Sequence, residues 1–331
     1  MPNDILNGLP KDFLDRLHKI VAPDNYGDII TSFSVNRPTT FRVNSLKSDS
    51  TTLRTLLEDQ GFVLAAVPWY SDAFILQNKS LRELTETKEY TDGLLYVQSL
   101  SSMLPPLILD PKPGDRVLDI AAAPGSKTTQ IAAMMENRGE ITANDASRVR
   151  IYRLEANLKT QGVTIARITH DDARGLWQKS PEYFDKTLVD VPCSMEGRFC
   201  TTDPKTHKDW TVKKVHELSR LQRWILRSAV SATKPGGTIV YSTCTLSPEE
   251  NEEVLHWLLS KENGNIQLES IQINQLPLDP AVQSWEGKSY DSQVSLTARI
   301  YPSTLMEGFF IAKLKKLGSS IPKSMRPENA V

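Results

Sequence analysis

Cysteine is scarce in this sequence of 331 residues. The three cysteines, Cys193, Cys200 and Cys244, cannot all pair in disulfides, which is typical of proteins from a reducing compartment. They form no Cys-x-x-Cys pair, and no histidine stands at zinc-finger spacing from them. The sequence therefore predicts neither a disulfide framework nor a bound metal.

A long apolar run is also missing. The longest candidate, residues 103–109, is far shorter than the ~18 residues that a membrane-spanning helix needs, and it contains two prolines. The first residues include Asp4 and do not show the basic-then-apolar pattern of a signal peptide. We therefore expect a cytoplasmic protein without a membrane segment, acting as a monomer.

Excess charge of one sign is absent from the chain as a whole but present locally. The net charge is −1. Residues 198–234 nevertheless hold nine lysines and arginines against three acidic residues. Such a segment can bind the phosphates of a nucleic acid, or it can simply be the solvated face of a helix. Charge alone does not decide between the two.

Length and the order of the predicted elements indicate two domains. At ~150 residues per domain, a chain of this length holds two. Residues 1–100 form a small α+β unit, residues 101–316 a second domain, and residues 317–331 a polar tail predicted to be disordered. In the first unit, helices are predicted at 9–21 and 51–60 and strands at 39–44 and 61–67.

From residue 115 onward, strand, loop and helix alternate. This order predicts an α/β domain with a parallel sheet that helices cover on both faces. A late strand at 307–314 is rich in aromatic and β-branched residues. The other strands are predicted at 116–120, 140–144, 164–169, 186–189 and 238–242, and the helices after 126 and at 147–161, 210–233 and 248–261.

The first strand of this domain leads into a loop of small residues. In segment 117–130 (VLDIAAAPGSKTTQ), the strand ends at Asp119 and Ser126 begins a helix, whose free backbone N–H groups can bind a ligand. The dinucleotide pattern G-x-G-x-x-G and the phosphate-loop pattern are both absent. A ligand is still expected here, because parallel sheets bind ligands at the carboxyl ends of their strands.

Acidic residues follow the next two strands. Asp145 stands about 20 residues after the glycine of the loop, where a carboxylate can accept hydrogen bonds from both ribose hydroxyls of an adenosine. Asp172 follows the third strand and is a candidate for the adenine amino group, with Asp171 as its rival. Capping of a helix is the alternative role for each aspartate.

Two of the three cysteines follow neighbouring strands. Cys193 comes after the fourth predicted strand, in LVDVPCSMEGRF, and Cys244 after the fifth, in VYSTCTLSPEENE. A lone cysteine is most often a small buried apolar residue. Two at equivalent strand ends beside a ligand loop indicate chemistry, whereas Cys200 has no such partner.

Several motifs together resemble one known family. PGSKTTQ, DVPCSMEG, STCT followed by ENE, the amino-terminal RVN and the closing GFFIAKLKK are similar to the Sun/Fmu family of RNA 5-methylcytosine methyltransferases, and the ligand loop is most similar to RsmF, a 16S ribosomal RNA enzyme. The resemblance implies a Rossmann-like class I methyltransferase with a mostly parallel, seven-stranded sheet. It also implies an amino-terminal RNA-binding unit and S-adenosyl-L-methionine as cofactor.

The resemblance also implies roles for individual residues. Cys244 would be the nucleophile, Cys193 would assist release of the methylated base, and Asp190 would hold ring nitrogen 3. Two residues depart from the family pattern, since Ala121 replaces a frequent cysteine and Met195 a usual glycine. The implied cofactor residues are Ala121, Ala122, Ala123, Pro124, Gly125, Ser126, Lys127, Asp145, Asp172 and Asp190.

A thiol suits methylation of cytosine because carbon 5 is a weak nucleophile. Adding a thiolate at carbon 6 moves electron density to carbon 5, and the thiol leaves after methyl transfer. Two other classes share some of these features. A DNA cytosine methyltransferase would use Cys193 as its nucleophile, and a non-catalytic ribosome-assembly protein would keep the fold alone. Ribosomal RNA is the favoured substrate and transfer RNA the alternative.

Overall fold

The amino-terminal part of the chain contains a four-stranded antiparallel sheet. In the computed structural model, which describes residues 8–321, the strand order is β2-β3-β1-β4. The helix at Ser50–Glu58 is capped at its amino end by Asp49, whose side chain accepts hydrogen bonds from the backbone N–H groups of Thr51 and Thr52. The elements are α1 (Lys11–Ile20), α2 (Pro23–Ser32), β1 (Thr40–Val43), α3 (Ser50–Glu58), β2 (Leu64–Val67), β3 (Tyr70–Leu76), α4 (Leu81–Thr85), α5 (Lys88–Thr91) and β4 (Leu95–Val97).

The first two helices pack away from this sheet. Phe13 of α1 contacts Phe199 and Trp210, with ring centroids 4.8 and 5.9 Å apart. Arg16 forms a buried ion pair with Glu249 at 2.6 Å. These partners belong to the second predicted domain, so the amino-terminal helices are part of its surface.

The larger sheet carries the predicted parallel strands. Its path is β11-β14-β15-β9-β8-β5-β6-β7, with β10 paired to β15. The five strands from β5 to β9 are parallel, as the sequence predicts, and β15 is antiparallel beside β9. The strands are β5 (Arg116–Asp119), β6 (Glu140–Asn144), β7 (Ala166–Thr169), β8 (Phe184–Asp190), β9 (Thr233–Thr243), β10 (Ile266–Glu269), β11 (Asp279–Pro280), β14 (Ala298–Ile300) and β15 (Phe309–Lys316), with a separate hairpin of β12 (Ser284–Trp285) and β13 (Lys288–Ser289).

Within residues 8–321, the larger sheet has nine strands, two more than the seven expected. One half of β15 pairs with β10, through residues 313–316, and the other half pairs with β14, through residues 309–311. Two short segments therefore share the edge that one continuous strand would occupy, and β11 extends the sheet beyond β14. Short edge strands of this kind depend on pairing with the sheet, which a local sequence pattern does not reveal.

Helices cover both faces of this sheet, as predicted. Val117 faces one apolar core and its neighbour Leu118 the other, because successive side chains of a strand point to opposite faces. The first core holds α6, α7 and α8, and the second holds α9 and α10. The helices are α6 (Leu100–Leu109), α7 (Ser126–Met134), α8 (Arg148–Gln161), α9 (Val212–Ala232) and α10 (Glu252–Glu262).

The segment after β15 was predicted to be disordered. Its first residues are placed in the structure: the backbone N–H of Leu317 donates to Asn265 O, and that of Ser320 donates to Glu182 Oε1. Residues 322–331 lie outside the described part of the chain. Within residues 8–321, no helix is both long enough and apolar enough to span a bilayer.

Candidate active site

A cleft opens at the carboxyl ends of β5, β8 and β9. Its volume is about 350 Å³. Both predicted domains contribute to its walls, because β4 and the residues after it lie against the loop that follows β5. The lining residues are Tyr96, Val97, Gln98, Ser99, Ser102, Ala123, Pro124, Ser126, Lys127, Arg150, Asp190, Val191, Arg198, Cys244, Glu307 and Phe309.

The two strand-end cysteines meet in this region. Parallel pairing sets Asp190 of β8 beside Ser242 of β9, so the loops that follow start side by side. The Sγ atoms of Cys193 and Cys244 are 3.3 Å apart, and both thiols are free. Cys200 lies elsewhere, with its thiol 3.1 Å from Thr202 Oγ1.

The two thiols differ in their surroundings. Cys244 lines the cleft, and Cys193 is not among the lining residues. The hydrogen bond with Cys244 raises the pKa of Cys193 well above its ordinary value, and burial raises it further. Cys193 therefore remains a thiol that can donate a hydrogen bond to its neighbour.

Asp190 is held by a cation and a hydroxyl group. Lys127 Nζ lies 2.8 Å from Asp190 Oδ2, and Ser242 Oγ donates to Asp190 Oδ1 at 2.8 Å. Lys127 also donates to Ser102 Oγ at 2.8 Å. Lys127, Asp190 and Cys244 all line the cleft, so a charged hydrogen-bonding pair and a thiol face the same cavity.

The loop after β5 has the geometry expected of a cofactor site. Gly125 has φ of 109°, and a Cβ atom there would lie 2.9 Å from Leu154 Cδ1, so a side chain is excluded. No side chain caps α7, which leaves its first N–H groups available to a ligand. Asp119 Oδ1 is buried without a hydrogen-bond partner, although Thr128 donates to Oδ2 at 2.7 Å. Burial raises the pKa of Asp119 to about 7. Together these features fit an adenosyl cofactor with a cationic amino-acid end.

Asp145 lies directly behind this loop. Its side chain accepts hydrogen bonds from the backbone N–H groups of Ala123, at 3.2 Å, and Ser147, at 2.8 Å. Arg150 Nη1 lies 3.2 Å from Asp145 Oδ2, and Arg150 also donates to Ala123 O. Asp145 is only 2% exposed and is not among the residues that line the cleft, so the contacts described here organise the loop.

The structure does not bring Asp172 into the cleft. Its side chain is 57% exposed and pairs with Arg174, which lowers the pKa of the carboxyl group. Its rival Asp171 pairs with Lys179 and lies on another surface. Asn144, at the end of β6, connects the loops that follow β5 and β7. Its side chain donates to Ile120 O and accepts from the backbone N–H of Asp171.

Met195, one of the departures from the family pattern, adopts a left-handed conformation. Its φ is 60°. This conformation costs an ordinary residue ~1–2 kcal/mol, which explains why glycine is usual at this position. The Met195 side chain is exposed, and Ala121, the other departure, is half-buried.

Sequence reasoning did not identify several residues of the cleft. Tyr96 and Gln98 come from the amino-terminal unit, and no motif marks them. Arg198 pairs with Glu307 at 3.1 Å across 109 positions of the chain. The one sequence signal that could have placed Arg198 at the cleft is its position in the loop that follows Cys193.

The basic segment 198–234 is partly neutralised in the structure. Four of its nine cations pair with carboxylates: Arg198 with Glu307, Lys213 with Glu217, Arg223 with Glu253 and Lys234 with Asp185. Arg220 and Arg227 are exposed on α9, and Arg227 lies over the Trp224 ring at 5.7 Å.

Among the residues that the structure describes, no cluster of three or more metal-binding side chains occurs.

Comparison with known proteins matches two family models to this chain. The model described as 16S rRNA methyltransferase RsmB/F covers residues 106–315, and that of the N-terminal domain of 16S rRNA methyltransferase RsmF covers residues 9–100. The tRNA (cytosine(49)-C(5))-methyltransferase of Pyrococcus abyssi is 42% identical over 83% of this chain and 87% of its own length. Ribosomal RNA small subunit methyltransferase F of Pectobacterium carotovorum is 37% identical over 96% of this chain, which spans 65% of that protein.

Solved structures agree with these matches. A methyltransferase homolog from Pyrococcus horikoshii is 35% identical, with a TM-score of 0.82, and the match covers 95% of this chain and 98% of that one. NSun6 from Pyrococcus horikoshii, solved with SFG, is 25% identical, with a TM-score of 0.80, and the match covers 95% and 100% of the two chains.

The fold and the site define a class I methyltransferase that uses S-adenosylmethionine. Within this class, the chain belongs to the RsmB/F family of RNA methyltransferases.

Proposed function

We propose that this protein methylates carbon 5 of cytosine in ribosomal RNA, as a cytoplasmic monomer, with Cys244 as the nucleophile. The observation that carries the proposal is the pair of thiols 3.3 Å apart, of which Cys244 alone lines the cleft. A DNA cytosine methyltransferase would place its nucleophile at Cys193 instead. Cys193 is not among the residues that line the cleft, which favours a supporting role for it.

The side chains of the cleft have distinct roles in this proposal. Cys244 Sγ adds to carbon 6 of the ring, and carbon 5 becomes nucleophilic. The proton shared by Asp190 and Lys127, joined at 2.8 Å, passes through Asp190 to ring nitrogen 3 and neutralises the negative charge that develops there. S-adenosylmethionine, when bound, supplies the methyl group that carbon 5 takes. Water in the cleft then takes the carbon 5 proton, and the electrons of that bond restore the carbon 5–carbon 6 double bond. The bond from carbon 6 to Cys244 breaks as a result, and Cys193 gives a proton to the departing thiolate.

The cofactor would lie against the loop after β5. Residues 121–127 supply small side chains and free N–H groups, and Asp145 supplies the carboxylate for the ribose hydroxyls. The earlier prediction that Asp172 meets the adenine remains a prediction, and its exposure argues against it in the described conformation.

Transfer RNA is the second candidate substrate, because one similar protein is named for a tRNA cytosine. The Pyrococcus abyssi relative, named for a tRNA cytosine, has higher identity than the RsmF relatives and matches over 87% of its own length, against 65% for RsmF of Pectobacterium. In both cases we propose that residues 1–100 form the RNA-binding domain, since Tyr96 and Gln98 reach the cleft from this unit. Bisulfite sequencing of ribosomal and transfer RNA from a deletion strain distinguishes the two substrates. Loss of a 5-methylcytosine from transfer RNA alone would contradict the ribosomal assignment.

The division of roles between the thiols predicts different failures for two variants. Cys244→Ala removes the nucleophile, so neither methylated RNA nor a covalent adduct should form. Cys193→Ala leaves attack and methyl transfer intact but slows release, so a protein–RNA adduct through Cys244 should accumulate. Denaturing gel electrophoresis with labelled RNA measures the adduct, and Cys200→Ala is the matched control, since its thiol lies outside the cleft.

The opposite pattern would refute this assignment. If Cys244→Ala accumulates the adduct while Cys193→Ala forms none, the nucleophile is Cys193. If both variants retain methylation of RNA, neither thiol is the nucleophile.

A further inference from the structure

Glu250 is a buried carboxyl group close to the cysteine loops. It lies six residues after Cys244 and is fully buried. Its Oε2 atom accepts hydrogen bonds from the backbone N–H of Ser194, at 3.0 Å, and from Gln222 Nε2, at 2.7 Å. Its Oε1 atom contacts Ser194 Oγ.

The contacts of Glu250 extend to both loops. Ser194 Oγ lies 2.7 Å from Thr245 Oγ1, and these two residues directly follow Cys193 and Cys244. Gln222, the other partner of Glu250, also donates to the carbonyl oxygen of Pro192 at 2.9 Å. Glu250 thus holds the backbone on both sides of Cys193 and, through Ser194, the residue beside Cys244.

Among the described residues, Glu250 is buried without the cationic partner that its neighbours have. Neighbouring Glu249 and Glu252 pair with arginines, whereas Glu250 forms no ion pair within residues 8–321. Burial and nearby Glu196 together raise the pKa of Glu250 to about 8, although its hydrogen bonds with Ser194 and Gln222 lower it. The other titratable groups that face it are Cys193 and Tyr241, and neither is a cation. A protonated Oε1 can donate to Ser194 Oγ, which then donates to Thr245.

We propose that Glu250, as a neutral carboxylic acid, is the positioning residue that keeps the Cys193 and Cys244 loops in register for catalysis. The inference rests on the proposed roles of the two thiols. Glu250 itself touches neither substrate nor cofactor. It acts by fixing the 3.3 Å separation of the Sγ atoms.

Two variants of Glu250 distinguish a positioning role of the neutral side chain from a requirement for its ionised carboxylate. In Glu250→Gln, the amide oxygen can accept from Ser194 N–H and Gln222, and the amide nitrogen can donate to Ser194 Oγ, so the contacts of the neutral acid persist. In Glu250→Ala, these contacts are lost. Glu249→Gln is the matched control, because it makes the same change in a carboxylate that is ionised and paired with Arg16.

The measurement is the rate of covalent adduct formation with RNA containing 5-azacytidine, from which no position 5 proton can be removed. Thermal unfolding of each variant is measured in parallel. We expect Glu250→Gln to react within threefold of the wild type at pH 7 and Glu250→Ala to react at least tenfold more slowly. Above pH 8, ionisation of Glu250 should slow the wild type relative to Glu250→Gln. Glu249→Gln should instead lower the unfolding temperature.

Each other outcome overturns the inference. If Glu250→Ala reacts as fast as the wild type, Glu250 does not position the thiols. If Glu250→Gln is as slow as Glu250→Ala, the ionised carboxylate is the required form. If the wild type forms no adduct that depends on Cys244, the proposed function fails, and the inference fails with it.

Discussion

Replacement of Asp145 by alanine tests the cofactor site at the residue that joins its loop to the sheet. The Asp145 carboxylate accepts hydrogen bonds from the backbone of Ala123 and Ser147 and faces Arg150. In the proposed site, it also accepts from the ribose hydroxyls. A hydrogen bond to a charged group contributes ~1.5–3 kcal/mol, so the variant should bind S-adenosylmethionine roughly ten- to 150-fold more weakly.

Calorimetric titration of the purified protein with S-adenosylmethionine measures this change. Asp115→Asn is the control, because Asp115 lies just before the opposite end of β5 and bonds only to its own turn and the adjacent backbone. Titration of Asp172→Asn tests the prediction for the adenine in the same assay. A dissociation constant for Asp145→Ala within twofold of the wild type, in a protein that is still folded, would remove Asp145 from the cofactor site.

Two further predictions concern the surface and the buried acid of the loop. Replacing Arg220 and Arg227 by glutamine should reduce the salt dependence of RNA binding, since each lost phosphate contact lowers the slope by about 0.7–0.9; an unchanged slope means that this face of α9 is only solvated. Asp119 has a pKa of about 7 in the folded protein against 3.8 ordinarily, so the folded state keeps a proton that the unfolded state releases. Its contribution to stability should therefore fall as the pH rises from about 4 to 7, by up to about 4 kcal/mol. Urea unfolding of Asp119→Asn should show a weaker pH dependence in that window, and identical pH dependence would contradict the raised pKa.

The elements that local patterns specify were predicted well. Strands β5, β6 and β8 were recognised because each leads into a loop that carries an acidic residue or a motif. The amino-terminal unit was predicted less completely, since α2, β3, α4, α5 and β4 were missed. Strand β3 begins with the polar segment Tyr70–Ser71–Asp72 and depends on its two neighbours, β1 and β2, for hydrogen bonds. The same reason accounts for the short strands at the edge of the larger sheet.

The sequence by itself determined the class of this protein. Small residues after β5, an acid after β6 and a cysteine after each of two strands are local features, and parallel strands bring their carboxyl ends to one edge. These features predicted an adenosine-binding loop with two cysteines beside it, whereas the identity of the cofactor and the roles of Cys193 and Cys244 came from the resemblance to the Sun/Fmu family.

Only the tertiary structure decided which side chains complete the site. Lys127 reaches Asp190 across 63 positions of the chain, and Glu250 reaches Ser194 across 56. The tertiary structure also showed which cations of segment 198–234 are paired with carboxylates and that Arg220 and Arg227 are exposed. It placed Asp172 outside the cleft. Contacts between residues far apart in sequence depend on how helices and strands pack, and no spacing within a single motif records that packing.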